Sequence, residues 1–231
     1  MIFQNPAASL NPVFSVGEQI SMVTRLHRPV AASQADERTL ETLEAVGLPD
    51  PAQTARAYPH ELSGGMQQRV MIAMALSSDA ELLIADEPTT ALDVTIQAQI
   101  LGLLAQLREE RGLSILLITH NLGVVAETCD RVAVLYVGHV VEEGPTREIF
   151  KAMKHPYTKG LLAAIPRPGS HGQPLPAIRG SVPTGLERFP GCPFQPRCSW
   201  ATDACERELP ALIPVGPEHY VACHLYREGE R

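Results

Sequence analysis

The sequence predicts an α/β fold built on a parallel sheet, and three observations carry that expectation. Leu82-Leu83-Ile84-Ala85 is a short, wholly apolar run that stops at two acids, Asp86-Glu87. Ser114-Ile115-Leu116-Leu117-Ile118-Thr119 is a second such run and stops at His120. Between them Ile96, Ile100, Leu103, Leu104 and Leu107 recur at helical spacing. A run apolar on both faces is how a strand buried inside a parallel sheet reads. Strand, helix, strand is then a right-handed βαβ unit.

The remaining elements follow from local chemistry. Residues 10–60 read as a separate helical region. Ser15-Val16-Gly17-Glu18 and Ser33-Gln34-Ala35-Asp36 each place an acid three residues after a serine cap, and Gly47 supplies a stop. Ser63-Gly64-Gly65 opens a further helix whose apolar residues are Met66, Val70, Ala73 and Met74. Arg131–Val137 is expected to add a third strand to the parallel set, and Gly138-His139 to turn the chain into Val140–Glu143. Past residue 150 prolines multiply, among them Pro166, Pro168, Pro174, Pro193 and Pro196. Proline removes a backbone donor and breaks helices, so this tail is expected to be mostly loop and turn, stapled by its cysteines.

The 231 residues, 45% of them hydrophobic and 19% charged, suffice for one large domain or one domain with an appendage. With 26 acidic against 19 basic residues the formal charge is −7. A broad basic footprint for nucleic acid or an anionic membrane is excluded on that balance. No apolar run approaches the ~20 residues of a membrane-spanning helix. The N-terminus shows no secretory pattern, so a soluble cytosolic chain is expected. Cys192, Cys198, Cys205 and Cys223 crowd into the last forty or so residues. In a reducing compartment such a group is expected to bind metal rather than form disulfides. Cys129 is read as a buried thiol without chemistry, and His171 with the other scattered histidines as structural.

Three features carry chemistry. Asp86 and Glu87 stand at a rigid strand end and point in different directions; one can hold magnesium and the other orient a water for attack on a phosphate. Alone, such a pair is commonplace, but Pro88-Thr89-Thr90-Ala91-Leu92-Asp93 follows it. In Leu62-Ser63-Gly64-Gly65-Met66-Gln67-Gln68-Arg69 a serine cap and two glycines leave a helix mouth open to an anion. His120 ends the second strand, and in open parallel sheets ligands gather at such ends.

Together these residues resemble the nucleotide-binding subunit of ABC transporters. Gln4 looks like the Q-loop glutamine, Leu62–Gln68 like the signature motif with Met66 where many members carry glutamine, and Leu82–Glu87 like Walker B. Ala91-Leu92-Asp93 looks like the D-loop and Thr119-His120 like the switch histidine. Ser9-Leu10-Asn11-Pro12, His155-Pro156-Tyr157, Ile178-Arg179-Gly180-Ser181-Val182-Pro183 and Cys192-Pro193-Phe194 narrow the resemblance to dipeptide and oligopeptide importers, which share this subunit type with nickel importers.

The resemblance implies a P-loop NTPase (RecA-like) α/β sheet with a helical subdomain at about 10–80, all within 1–150, and a C-terminal extension at 151–231 bearing the four cysteines. It implies ATP hydrolysis that energises uptake of di- or oligopeptides, with Glu87, His120 and Gln4 catalytic and Asp86 on magnesium. Ser63, Gly64, Gly65, Gln67 and Asp93 would serve ATP across a dimer. The implied partners are a second ATPase subunit, identical or paralogous, two transmembrane permeases and, indirectly, a solute-binding protein, at the cytoplasmic face of the inner membrane and with no nucleic acid. Four thiolates suit iron–sulfur or zinc, and the family pattern places [4Fe–4S] at Cys192, Cys198, Cys205 and Cys223 first and zinc second. No Walker A loop, G-x-x-x-x-G-K-[ST], occurs in residues 1–231. The chain is therefore expected to be an N-terminally truncated copy, defective alone in nucleotide binding. The alternatives are a non-catalytic fragment or a partner that lends its signature motif in trans.

Overall fold

The computed structural model describes residues 1–165, 176–183 and 189–226. Pro166, Pro168, Pro174 and His171 lie outside the described residues. The chain forms two compact units, Met1–His120 and Asn121–Arg231.

The first unit begins with the short helix α1 (Pro6–Ser9), capped by Asn5, and continues with α2 (Val16–His27). Ser15 and Glu18 close the expected capping box on α2. Helix α3 (Ala32–Ala45) starts before Ser33, because Gln34 rather than Asp36 reaches back to the chain, taking the amide of Ala31 at 3.2 Å. Gly47 then ends α3 at φ 69°, the left-handed conformation that glycine adopts without cost. Helix α4 (Pro51–Arg56) completes the helical region, and a 3-10 turn at Pro59–Glu61 leads into α5 (Gly64–Leu76). Strand β1 (Leu82–Asp86), helix α6 (Val94–Arg111) and strand β2 (Ser114–Ile118) form the predicted βαβ unit, with β1 and β2 parallel from Leu82↔Ser114 to Asp86↔Ile118. On the other side of β1, Ile2 adds a parallel bridge to Ala85. Ile2, Val16, Ile20, Leu43, Ile72, Leu83, Ile100 and Leu107 are buried together in one core. Burying one such side chain is worth about 1.5–3 kcal/mol, so these helices are held chiefly by packing against one another around this shared core.

The second unit holds α7 (Leu122–Thr128), β3 (Arg131–Tyr136), β4 (His139–Pro145), α8 (Thr146–Ala152), α9 (Pro156–Ala163), α10 (Asp203–Arg207), β5 (Ile213–Gly216) and β6 (His219–Val221). The sheet order is β3-β4-β6-β5, and its pairs are antiparallel. This corrects the expectation for Arg131–Val137. The run is a strand, but its partner is β4, reached through a two-residue turn at Val137 and Gly138 with φ 47° and 77°. Positive φ at both central residues is the turn that matches strand twist, and so hairpin closure decides the pairing. The tail is also more regular than its prolines imply, since β5, β6, α9 and α10 lie within it.

Tyr136, Val141 and Phe194 make the core of this unit, Tyr136 meeting Phe194 edge-on at 5.2 Å. Arg197 fastens the segment around residue 179 by donating to the carbonyls of Ile178, Arg179 and Gly180 at 2.8–3.3 Å. Gly191 lies so close to the chain at Cys205 that a Cβ there would meet the Cys205 carbonyl oxygen at 2.2 Å. Glycine at 191 is therefore required for two of the cysteine-bearing loops to touch.

Candidate active site

Strand β1 delivers Asp86 and Glu87 as predicted. The Asp86 amide donates to the Ile2 carbonyl and the Glu87 amide to the Ile118 carbonyl, each at 2.9 Å, so both acids are fixed where three extended segments meet. Glu87 has φ 45°. A glutamate at positive φ carries a conformational cost that surrounding structure must offset, and such residues concentrate at working sites.

Three side chains converge on the Glu87 carboxylate. Gln4 Nε2 donates to Oε2 at 2.7 Å, Thr90 Oγ1 donates to the same oxygen at 2.8 Å, and His120 Nδ1 stands 2.9 Å from Oε1. The carboxylate can only accept, so the proton of this last contact resides on Nδ1 of His120 and Nε2 is left to a ligand. Bonding by His120 first, then Thr90 and Gln4, holds the Glu87 carboxyl below its ordinary pKa. The group is a charged acceptor with lone pairs to spare for a water. His120 is largely open to solvent, with 79% of its side chain exposed.

Gln4, Glu87 and His120, all predicted from sequence, thus share one cluster. Thr90 joins them. The sequence places it only in the run after Glu87; a hydroxyl three residues past a carboxylate, across a proline, is the signal that points to it.

The other predicted residues form a separate group. Ser63 caps α5, its hydroxyl accepting from the Met66 amide at 3.4 Å, and both Ser63 and Gly64 are exposed. A Cβ on Gly65 would meet Ile96 at 2.9 Å. The glycine therefore has a packing reason beside any ligand-binding one, because the mouth of α5 rests on the first turn of α6. Asp93 caps that turn, taking the Ile96 amide at 2.9 Å. Gln67 donates to the carbonyls of Pro59 and Leu62 at 2.8 and 3.2 Å and so shapes the loop before the helix mouth. Ser63, Gly64 and Asp93 are exposed beside the half-buried Gly65, and no described hydrogen bond joins this patch to the Glu87 cluster.

Cys192, Cys198, Cys205 and Cys223 do come together, lining one cavity with His155, Phe194, Trp200 and His224. Burial raises the Cys192 and Cys198 thiols above their ordinary pKa and pushes Cys223 up to about 11. The cavity measures about 10 Å³, the space of a single water. Among the described residues no group of three or more His, Cys, Asp or Glu side chains is arranged to hold a metal ion. The arrangement therefore does not fit a four-iron cubane, and the expected cluster is not supported. Cys129 is half-buried rather than buried, 3.7 Å from the Thr128 hydroxyl.

Comparison with known proteins supplies the wider context. The ABC transporter family matches residues 1–90, and the oligopeptide/dipeptide transporter C-terminal region matches residues 141–205. The oligopeptide transport ATP-binding protein AppD of Bacillus subtilis is 51% identical over 99% of this chain and 70% of its own length. The dipeptide transport ATP-binding protein DppD of Haemophilus influenzae is 48% identical over 97% of this chain and 68% of its own. Among solved structures, the dimeric post-hydrolysis state of the ATP-binding cassette MJ0796, bound to ADP and phosphate, aligns over 63% of this chain and 62% of that one, with TM-score 0.55 and 32% identity. No helix among the described residues is long and apolar enough to cross a membrane. On these matches the chain belongs to the ABC ATPases with a P-loop NTPase fold, as an ATP-binding subunit of the oligopeptide/dipeptide transporter family.

Proposed function

We propose that this chain serves an importer as the ATPase subunit that energises uptake of di- or oligopeptides, at the cytoplasmic face of the inner membrane. The Glu87 carboxylate, held charged at a strand end by Gln4, Thr90 and His120, is the observation that carries the reading. In it Glu87 orients the attacking water and takes its proton. His120 offers Nε2 to the γ-phosphate while Nδ1 stays on Glu87. Gln4, the only one of the three donors outside the strand-end loops, reports nucleotide state to the helical region that follows it. Magnesium supplies charge neutralisation on the phosphates, and a hard carboxylate with water around it is what that ion takes from a protein; Asp86, half-exposed at the same strand end, would hold it.

The patch of Ser63, Gly64, Gly65, Gln67 and Asp93 is assigned to a nucleotide held by a second ATPase subunit. The exposure of Ser63, Gly64 and Asp93 and the lack of a described hydrogen bond to the Glu87 cluster support that division. Two membrane permeases and a solute-binding protein complete the assembly. The domain division 1–150 and 151–231 belongs to this reading, with the second part a family-specific extension. Its four cysteines line one cavity; their placement does not fit the [4Fe–4S] cluster that the family pattern puts first, with zinc second, and metal content is the test. Iron and zinc analysis of protein purified without oxygen decides it, and less than about 0.1 metal per chain removes the site.

The deciding experiment for the enzyme reading is Glu87→Gln in the assembled importer. ATP binding is expected to persist while turnover falls by about 10²–10⁴, the usual contribution of a general base. Turnover within a few-fold of the parent would remove Glu87 from that role.

A further inference from the structure

Thr90 contacts Glu87 twice. Its amide donates to the Glu87 carbonyl at 3.1 Å, closing a four-residue turn over Pro88 and Thr89, and its hydroxyl donates to Glu87 Oε2 at 2.8 Å. The turn is a costly one, since Glu87 at its start and Ala91 just after it have φ 45° and 63°. The backbone half of this staple needs only an amide, which almost any residue supplies. The hydroxyl half needs serine or threonine. Thr90 is exposed, so core packing does not explain its side chain.

Gln4 bonds the same oxygen at 2.7 Å, yet the two donors are not equivalent. Gln4 arrives from 83 positions away on a long, rotamer-rich side chain. It must surrender conformational freedom to stay and is free to leave when a ligand competes. Thr90 is tied into the same tight turn as Glu87 and has one side-chain torsion to fix. Its hydroxyl remains within reach whatever Gln4 does.

We propose that Thr90 is a positioning residue for Glu87: its hydroxyl pins Oε2, leaving Oε1 to face His120 and the hydrolytic water. This rests on reading Glu87 as the base. With Oε2 held, rotation of the carboxyl group is stopped and one oxygen is presented along one direction. Without it, Oε2 has no partner whenever Gln4 is drawn off, the carboxylate is held only through Oε1 by His120, and proton transfer loses its aligned geometry.

The test compares Thr90→Val, which keeps the shape and removes the donor, with Thr90→Ser, which restores it. In residues 1–231 carrying ¹³C-labelled glutamate, the Glu87 carboxyl titration is expected to move up in Thr90→Val and return in Thr90→Ser. In the assembled importer, Thr90→Val is expected to lower kcat roughly tenfold, as loss of one bond to a charged group implies, with KM for ATP changed less than about twofold. The acidic limb of its pH profile shifts upward. A titration unmoved in Thr90→Val, or a Thr90→Ser protein that behaves like Thr90→Val, overturns this proposal alone. A moved titration with normal turnover in Glu87→Gln removes the base reading and this proposal with it.

Discussion

Nδ1 of His120 stands 2.9 Å from Oε1 of Glu87, joining the ends of two adjacent parallel strands across 33 residues of sequence. It is the largest of the contacts that keep Glu87 ionised, ahead of Thr90 and Gln4. Substituting each donor in turn is therefore expected to raise the Glu87 carboxyl midpoint in that order: His120→Ala most, Thr90→Val next, Gln4→Ala least. Carboxyl-detected titration reads the series directly. An equal shift for all three would mean that general solvation, not these contacts, governs the group.

Nucleotide affinity of the chain by itself is a separate matter. Residues 1–231 contain no glycine-rich loop ending in Gly-Lys-Ser/Thr, and the amides and lysine of such a loop supply most of the phosphate cradle in P-loop enzymes. The remaining candidates here are Asp86, which repels phosphate without magnesium, and the exposed His120. Isothermal titration of residues 1–231 with Mg-ATP is expected to give no saturable heat in the micromolar range. Micromolar binding would reveal a cradle made of other residues.

The strand ends, the helix mouth and the donors Gln4 and His120 were legible because each rests on local pattern. An apolar run stopping at an acid, or a serine before two glycines, has the same meaning in any context. The pairing of Arg131–Tyr136 was not legible in that way. Its residues suit either sheet, and the choice lay in whether Val137 would accept positive φ beside Gly138. Glu142 shows a second limit. It stands in an alternating run as an ordinary strand acid, yet it is wholly buried, because its partners come from residues 154, 155 and 219 and no short-range pattern links them.

Glu142 accepts from the Lys154 amide at 2.6 Å, the His155 amide at 2.9 Å and His219 Nε2 at 2.8 Å. One carboxylate thus joins β4 to β6 and to the start of α9. Removing it strands three donors in the interior. Glu142→Ala is expected to cost about 3 kcal/mol, as loss of one partner from a buried charged network does, and Glu142→Gln somewhat less. Urea unfolding of residues 1–231 checks both; a loss below about 1 kcal/mol for alanine would show that water takes over the abandoned donors.

His155, the next residue in that network, is 1% exposed, and burial lowers its pKa to about 4. The folded state therefore excludes a proton that the unfolded chain takes up below about pH 6.5. Between these values the unfolded state binds more protons, so stability is complete above pH 6.5 and falls as the pH drops toward 4, by an amount of order 3 kcal/mol. His155 Nδ1 also caps α9 through the Tyr157 amide at 3.0 Å. Asparagine can keep that cap but does not titrate. His155→Asn is expected to flatten the pH dependence of urea midpoints between 4 and 6.5, at some cost in packing at every pH. A dependence as steep as the parent's would assign it to other groups.

Strand β2 pairs with β1 on one edge, and among the described residues nothing pairs with the other. Along it Leu116 and Ile118 are 51% and 45% exposed and lie on the same face. An apolar strand with a free edge templates pairing with further chains, and a charge on its open face is the usual way proteins prevent this. Leu116→Lys removes apolar surface already half in water, so its cost in stability is small. It places a cation on the open face, where a second strand would have to bury it. Residues 1–231 are therefore expected to aggregate with rising concentration, and Leu116→Lys to slow the growth of light scattering several-fold without moving the thermal midpoint by more than about 2 °C. Equal aggregation in both proteins would place the sticky surface elsewhere, the exposed Leu135 of β3 (57%) being the next to test.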